Sequence, residues 1–235
     1  MRFVTFEDVA ARLQGKRVAV VGSAPSVLDN EPGYVESFDV VLRVNNYKTG
    51  SKQGRRTDIH YSFYGSSIRK TSTELRGDGV KLCMCKCPDG MPIVSPWHVK
   101  KGRINGVDFR YIYRRRKPFW FTDTYVPTVE SFLEKFFLLH RHIPTTGFAA
   151  LHDVLLSQPR QVYLTGFDFF RSRMHNVDER WPLREQDMED PIRHVPEEEL
   201  NWLRANADNY PLSFDPTLAR LVREEAAVEE ERIAV

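Results

Sequence analysis

The stretch RVAVVGSAPS, residues Arg17–Ser26, decides the fold of this chain. Its first half is a nearly continuous run of valine and other apolar residues, which is typical of a strand that is covered on both faces. Its second half is a turn of small residues that follows the strand directly. Similar apolar runs recur along the chain, and segments with a helical period lie between them. Strands that alternate with helices predict an α/β fold with a mainly parallel sheet.

The apolar pattern also gives approximate boundaries. The predicted strands are Arg17–Val21, Asp39–Val44, Thr57–Phe63, Gly79–Cys87, Val107–Tyr113 and Arg160–Thr165. One helix is predicted after Pro127, a second begins at Thr145, and a third runs from about Pro196 to Ala207. Because no repeat or linker interrupts this pattern, we expect residues 1–235 to form a single Rossmann-like domain.

Composition narrows the classes of function. The 235 residues include 34 basic and 32 acidic side chains, and the net charge of +2 gives no global attraction to nucleic acid. No stretch approaches the ~20 consecutive apolar residues of a membrane span. Cys83, Cys85 and Cys87 share one face of a predicted strand, which favours buried apolar residues in a reducing compartment. We therefore expect a cytoplasmic protein with no nucleic-acid partner.

Two groups of small and polar residues follow neighbouring predicted strands. The first group is Gly22, Ser23, Ala24, Pro25 and Ser26. Backbone N–H groups in such a turn can approach a phosphate or ribose closely, although a tight turn between strand and helix has the same composition. The second group is Arg43, Asn45 and Asn46, at a strand end where open α/β sheets bind ligands. The alternative role of these amides is to cap the loop Tyr47–Gly54.

Two further groups lie at predicted helix starts. Thr145, Thr146 and Gly147 combine hydroxyls with free N–H groups, which favours an anion site, whereas simple N-capping requires only one threonine. His194 precedes Glu199 by five residues, and a histidine with a pKa near ~6.5 suits a general base. A surface or capping histidine is the alternative.

In their order along the chain, these groups resemble the motifs of sialyltransferases. The Gly22–Ser26 turn, followed by Phe38–Asn46, resembles the long motif. Residues 143–147 and then 162–169, which include Gly166, Phe167 and Asp168, resemble the short motif, and His194 with Glu199 resembles the very short motif. Residues Tyr210–Val222 are similar to the last strand and turn of the bacterial enzymes. The resemblance therefore spans residues 17–222.

The resemblance implies a sialyltransferase-type variant of the GT-A fold and an inverting glycosyltransferase. Its donor would be a CMP ester of a 2-keto sugar acid, of the sialic acid or 3-deoxy-manno-octulosonic acid type. The Gly22–Ser26 turn and Asn45 would hold CMP, residues 145–147 would meet the donor's ribose, phosphate or carboxylate, and His194 would be the catalytic base. The expected acceptor is a glycan such as a lipooligosaccharide or capsule, in polysaccharide biosynthesis.

The residues also predict that no metal cofactor is needed. A monophosphate leaving group carries less charge than a diphosphate, and no Asp-x-Asp follows a predicted strand. One departure from the family concerns Phe169 and Phe170, which replace tyrosines that often steady the phosphate. We expect Tyr163, Arg171, Arg173 or His175 to replace those hydroxyls.

Two polar segments have predicted roles outside these motifs. Residues Arg171–Arg193 are long and weakly periodic, which predicts a lid or acceptor loop. The basic aromatic run Tyr113–Phe121 is a solvated loop by default. The second interpretation is a surface for anionic lipid or an acidic glycan, and the third and weakest is a contact with nucleic acid, because four charges on a near-neutral chain make a small basic patch. Binding of this run to anionic lipid would place the protein peripherally at the inner membrane.

Two alternative functions come from different classes. A Gly-x-x-Pro-Ser turn also occurs in pterin pyrophosphokinases, and such an enzyme would need magnesium held by Asp58 or Asp168. A catalytically inactive member of the fold, which only binds nucleotide or glycan, is the other alternative.

Overall fold

The computed structural model describes residues 2–64, 70–88, 122–172 and 194–223. Within them, eight strands form one sheet: β1 Arg2–Val4, β2 Arg17–Val21, β3 Val40–Val44, β4 Ile59–Ser62, β5 Leu82–Cys85, β6 Asp123–Tyr125, β7 Gln161–Thr165 and β8 Leu212–Phe214. Their order across the sheet is β1-β6-β5-β4-β3-β2-β7-β8. Every neighbouring pair is parallel. The predicted fold class, a single α/β unit with a mainly parallel sheet, is confirmed.

Helices connect these strands. They are α1 Phe6–Leu13, α2 Ser72–Gly77, α3 Val129–Leu138, α4 Thr146–Leu156, α5 Pro196–Asn206 and α6 Pro216–Arg223. Threonine side chains cap the first four of them: Thr5, Thr71, Thr128 and Thr145 each accept a hydrogen bond from a backbone N–H in the first turn. No helix in the described ranges is long and apolar enough to cross a bilayer.

Both faces of the central strand β2 are buried, which explains its continuous apolar run. On one face Val18 and Val20 belong to the main core with residues of α4, such as Ala149 and Val154. On the other face Ala19 and Val21 pack in a second cluster with Phe38 and Tyr163. Burial on two faces removes the polar alternation that a half-exposed strand would show.

A buried ion pair joins the helices to the sheet. Lys135 Nζ of α3 lies 2.7 Å from Asp153 Oδ1 of α4, and both side chains are buried. The other carboxylate oxygen accepts a 2.7 Å hydrogen bond from the Tyr61 hydroxyl of β4. Lys135 Nζ also donates to the Ser131 carbonyl and hydroxyl, each at 3.0 Å.

Some predictions differ from the structure or lie outside it. The strands β1 and β6 and the helices α1 and α2 were not predicted, because three-residue strands and short helices carry too little periodic pattern. The predicted strand Val107–Tyr113, the basic run Tyr113–Phe121 and His175 lie outside the described residues. So does the predicted lid after Ser172.

Candidate functional site

The crevice that defines the candidate site lies at the carboxyl edge of the sheet, beyond β2 and β7. From β2 the chain builds one half of the sheet through β3, β4 and β5, and it later returns to place β7 on the other side of β2. Such a reversal of strand order opens a crevice at the carboxyl ends of the strands, which is where open α/β sheets bind ligands. The Gly22–Ser26 turn, Asn45, Asn46 and Gly166 all follow strands at this edge.

The turns after β2 and β7 interlock at the base of the crevice. The Gly22 N–H donates to the Thr165 carbonyl and the Ala24 N–H donates to the Gly166 carbonyl, both at 2.8 Å. A Cβ on Gly22 would lie 2.2 Å from the Gly166 oxygen, so only glycine permits this approach. Two of the backbone N–H groups that we expected to be available to a phosphate are therefore bonded within the protein. Ser23, which is half-buried, makes no such backbone bond in the described part of the chain.

Asp215 fixes the geometry of both turns. Its Oδ2 accepts hydrogen bonds from the Ser26 hydroxyl at 3.0 Å and from the Gly166 N–H at 2.8 Å. Its Oδ1 accepts from the Leu218 N–H in the first turn of α6, also at 2.8 Å. Asp215 is completely buried, and the Ser26 side chain points to it and not to a ligand. Sequence reasoning missed Asp215, although Asp followed by Pro216 is typical of a helix start.

Arg43 lies within β3 and Asn45 directly follows it, and the two residues have different environments. Asn45 is half-buried and has a φ of 51°, in the left-handed region. Asn46 is buried beside it. The expected contact between Arg43 and the nucleotide is corrected by its burial: the guanidinium is fully enclosed and Nε donates to the Arg56 carbonyl and the Thr57 hydroxyl. Burial lowers the pKa of Arg43 to about 10. Arg43 therefore holds the loop that follows β3.

At the start of α4, Thr145 is bound by Glu199. The Thr145 N–H donates to Glu199 Oε1 at 2.5 Å, and its hydroxyl donates to Oε2 at 2.7 Å. The same hydroxyl accepts from the Phe148 N–H at 3.1 Å. Burial raises the pKa of Glu199 to about 7, although the two hydrogen bonds from Thr145 oppose that shift. Thr145 is thus an N-cap, and Glu199 does not orient His194.

The remaining anion-binding groups at this helix end are the N–H groups of Thr146 and Gly147. They occupy the first two positions of α4, where a helix offers no internal acceptor. Because α4 leads into β7, its positive end lies at the carboxyl edge of the sheet. The Phe167 ring covers Gly147, since a Cβ there would lie 2.4 Å from Phe167 Cε1. A Cβ built on Gly22 would also lie 3.1 Å from the Phe167 ring. The ring therefore lies between the Gly22–Ser26 turn and the start of α4.

His194 lies against the segment that leads into α4. Its Nδ1 is 2.8 Å from the Ile143 carbonyl oxygen. Because a carbonyl only accepts, Nδ1 must carry a proton, and in the neutral ring Nε2 then holds the lone pair. The ring is half-buried. This arrangement gives His194 the tautomer of a general base whose reactive nitrogen is Nε2.

Asp168 and Asp58, the carboxylates that a magnesium-dependent pyrophosphokinase would use, make other hydrogen bonds in the structure. Asp168 accepts hydrogen bonds from the Phe170 N–H at 3.1 Å and from the Ser172 N–H at 2.9 Å. Asp58 precedes β4 and lies at the amino edge of the sheet, opposite the crevice, where it accepts from the Val41 N–H. Among the residues that the structure describes, no cluster of three or more His, Cys, Asp or Glu side chains is arranged to hold a metal ion.

Comparison with solved structures shows that the sheet and its helices have the fold seen in sialyltransferases. No protein-family profile and no curated protein matches the sequence. Sialyltransferase CstII from Campylobacter jejuni, solved with the substrate analogue CMP-3FNeuAc, is 15% identical, with a TM-score of 0.56 over 85% of this chain and 81% of that chain. A mammalian sialyltransferase, solved with Gal-beta-1-3GalNAc-ortho-nitrophenol, is 17% identical, with a TM-score of 0.54 over 85% and 69%. At these identities the comparison establishes the fold.

Proposed function

We propose that this chain is a glycosyltransferase that moves a 2-keto sugar acid from its CMP ester to a glycan acceptor, with inversion and without a metal ion. The observation that carries the proposal is the contact between His194 and the Ile143 carbonyl. It ties a base of defined tautomer to the segment that opens α4, next to the crevice of a sialyltransferase-type fold. Sialic acid and 3-deoxy-manno-octulosonic acid are the donor sugars that we propose to test.

The donor would lie across the carboxyl ends of β2 and β7. Ser23 and Asn45 supply polar groups beside β2 and β3, and the N–H groups of Thr146 and Gly147 supply the positive end of α4. A phosphate or carboxylate is the ligand that such a helix end favours. The donor carries one of each, so the site matches an acidic sugar on a nucleoside monophosphate.

The chemical step is a single displacement. The oxygen of the acceptor hydroxyl attacks the anomeric carbon, while the bond from that carbon to the phosphate oxygen breaks and CMP leaves with the electron pair. His194 Nε2 takes the hydroxyl proton as the new bond forms. Attack from the side opposite to CMP inverts the anomeric centre. CMP leaves with less charge to neutralise than a nucleoside diphosphate, so the helix end can serve in place of a metal.

Calorimetric titration with CMP, CMP-sialic acid and CMP-3-deoxy-manno-octulosonic acid, each with and without a chelator, tests the proposal. We expect binding that the chelator does not change. Absence of binding for all three compounds, or binding that requires magnesium, would contradict it. Hydrolysis of the donor without acceptor, faster than in buffer alone, separates an enzyme from an inactive binding protein, because only an active site accelerates the attack of water.

For the acceptor and the cellular location we propose only a class. A cell-surface glycan such as lipooligosaccharide or capsule fits an enzyme of polysaccharide biosynthesis, and the basic run Tyr113–Phe121 is a proposed contact with anionic lipid. Sedimentation with vesicles that contain or lack an anionic lipid tests that contact. We expect binding only to the anionic vesicles, and equal sedimentation with both would remove it.

A further inference from the structure

Strand β4 holds three of the four polar groups of Asn45. The Asn45 N–H donates to the Tyr61 carbonyl at 3.0 Å. The Asn45 carbonyl accepts from His60 Nε2 at 2.9 Å, and Asn45 Oδ1 accepts from the Ser62 hydroxyl at 3.1 Å. The three donors and acceptors belong to consecutive residues of β4. Asn45 also has the left-handed φ of 51°, which an asparagine adopts more readily than most residues when neighbouring contacts support it.

The protons of the Ser62 hydroxyl and of His60 Nε2 have defined positions. Ser62 Oγ accepts from the Tyr64 N–H at 3.3 Å, so its own proton is free to go to Asn45 Oδ1. Nε2 of His60 faces a carbonyl and must therefore carry a proton, and Nδ1 lies 3.0 Å from the Tyr64 hydroxyl. Burial lowers the pKa of His60 to about 4, so the ring is neutral at physiological pH. His60 and Ser62 are both fully buried and share one face of β4.

With its oxygen turned to Ser62, the Asn45 amide presents Nδ2 on the other side. Nδ2 makes no hydrogen bond within the described ranges, and Asn45 is half-buried at the carboxyl edge of β3. An amide that could rotate freely would offer a donor or an acceptor. Fixed by Ser62, it offers a donor only.

We propose that Ser62 is a positioning residue, supported by His60, that fixes Asn45 so that Nδ2 donates to an oxygen acceptor of the nucleotide. The inference rests on the proposed function, because it deepens the description of the same nucleotide site. Ser62 acts through Asn45 and does not touch the ligand. Removal of the Ser62 hydroxyl therefore has no effect of its own once the Asn45 amide is gone.

A double-mutant cycle in the full chain tests this dependence, with CMP as the titrant. We expect Asn45→Ala and Ser62→Ala each to weaken CMP binding roughly tenfold, which is the usual effect of losing one hydrogen bond to a charged or polar ligand. The double variant should bind like Asn45→Ala alone. Ser62→Thr keeps the hydroxyl and should bind within about twofold of the wild type. Additive losses in the double variant would overturn the inference.

A matched control separates positioning from a general loss of stability. Ser157 is also buried, and its hydroxyl donates to the Asp153 carbonyl at 2.9 Å, at the end of α4 remote from the crevice. Ser157→Ala should leave CMP affinity unchanged. If Ser62→Ala does not fold, Ser62→Cys replaces it in the cycle, since the thiol keeps the volume but is a weak donor. His60→Gln can keep a donor near the position of Nε2 and should bind better than His60→Leu.

A second readout does not depend on CMP binding. The side-chain amide of Asn45 gives a pair of proton resonances in a ¹⁵N-correlated NMR spectrum, assigned by its loss in Asn45→Ala. In the free protein we expect this pair to shift in Ser62→Ala and to keep its position in Ser62→Thr. If the wild type binds no CMP but the pair behaves as described, the proposed function fails and the positioning stands. An unchanged pair in Ser62→Ala would overturn the positioning.

Discussion

His194 has one ring nitrogen committed to a carbonyl, which leaves the other with the lone pair. The carbonyl of Ile143 replaces the carboxylate that often orients a catalytic histidine, and Glu199 is occupied by Thr145. Nδ1 of His194 is therefore oriented by a backbone carbonyl and not by Glu199. As a result, the charge state of Glu199 and the proton transfer at His194 can be tested separately.

His194→Ala should lower turnover by roughly 10²–10⁴-fold, the usual contribution of a general base. CMP affinity should change little, because in the proposed mechanism His194 contacts the acceptor hydroxyl and not the nucleotide. Steady-state rates at saturating acceptor and CMP titration measure the two effects. His140→Asn is the control: His140 is exposed, contacts Glu198, and has a φ of 48° that asparagine tolerates. Near-complete activity of His194→Ala would show that another group takes the proton.

Glu199 should make the stability depend on pH. Its folded pKa of about 7 lies above the ordinary value of 4.5, so the folded state binds the proton more tightly than the unfolded chain. Its contribution is present below pH 4.5 and is lost as the pH rises towards 7. Relative to Glu199→Gln, the free energy of unfolding of the wild type should fall over this range by up to about 3 kcal/mol.

Denaturant unfolding of both proteins at several pH values measures this difference. Gln keeps an acceptor for the Thr145 N–H and a donor for its hydroxyl, so the variant changes the titration more than the hydrogen bonds. Glu198→Gln, on the partly exposed side of α5, is the matched control and should leave the pH profile unchanged. Parallel profiles for the wild type and Glu199→Gln would show that Glu199 does not titrate in this range.

At the scale of elements, the crevice depends on two turns that approach within atomic contact. Gly22→Ala should lower stability and weaken CMP binding together, because its Cβ would collide with the backbone of Gly166 at 2.2 Å. Thermal unfolding and CMP titration measure both effects. Gly77→Ala is the matched control, since a Cβ on Gly77 meets nothing within 4 Å. Equal behaviour of the two variants would mean that the turns separate easily.

The ion pair between α3 and α4 is also a feature of this scale. Lys135→Met should destabilise the protein by about 3–5 kcal/mol, because it leaves the Asp153 carboxylate buried without its cation. Chemical denaturation measures the loss. Lys81, which is 77% exposed and pairs with Asp58, provides the control: Lys81→Met should cost no more than about 1 kcal/mol. Similar losses for both variants would contradict the role of burial.

For the whole molecule, local patterns predict the sheet better than they predict the site. Continuous apolar runs were enough to predict β2, β3, β4, β5 and β7, because a strand that is buried on two faces is apolar at most of its positions. The sequence also singled out Gly22, Thr145 and His194 as candidates, and their roles stay predictions. The contacts of Glu199 with Thr145, of Ser62 with Asn45 and of Asp215 with Gly166 were not. Each of them joins segments that only the folded sheet brings together.

The Asp215 contacts have a consequence for the order in which the molecule can be assembled. Asp215 Oδ2 accepts hydrogen bonds from Ser26, which is 189 residues earlier in the chain, and from Gly166, which is 49 residues earlier. During synthesis the ribosome therefore releases β2 and its turn long before their last partner exists. Until residue 215 emerges, the two turns lack the buried acceptor that they share. If the chain binds nucleotide as proposed, that binding would be acquired only after residue 215 has been synthesised and Asp215 has joined the two turns.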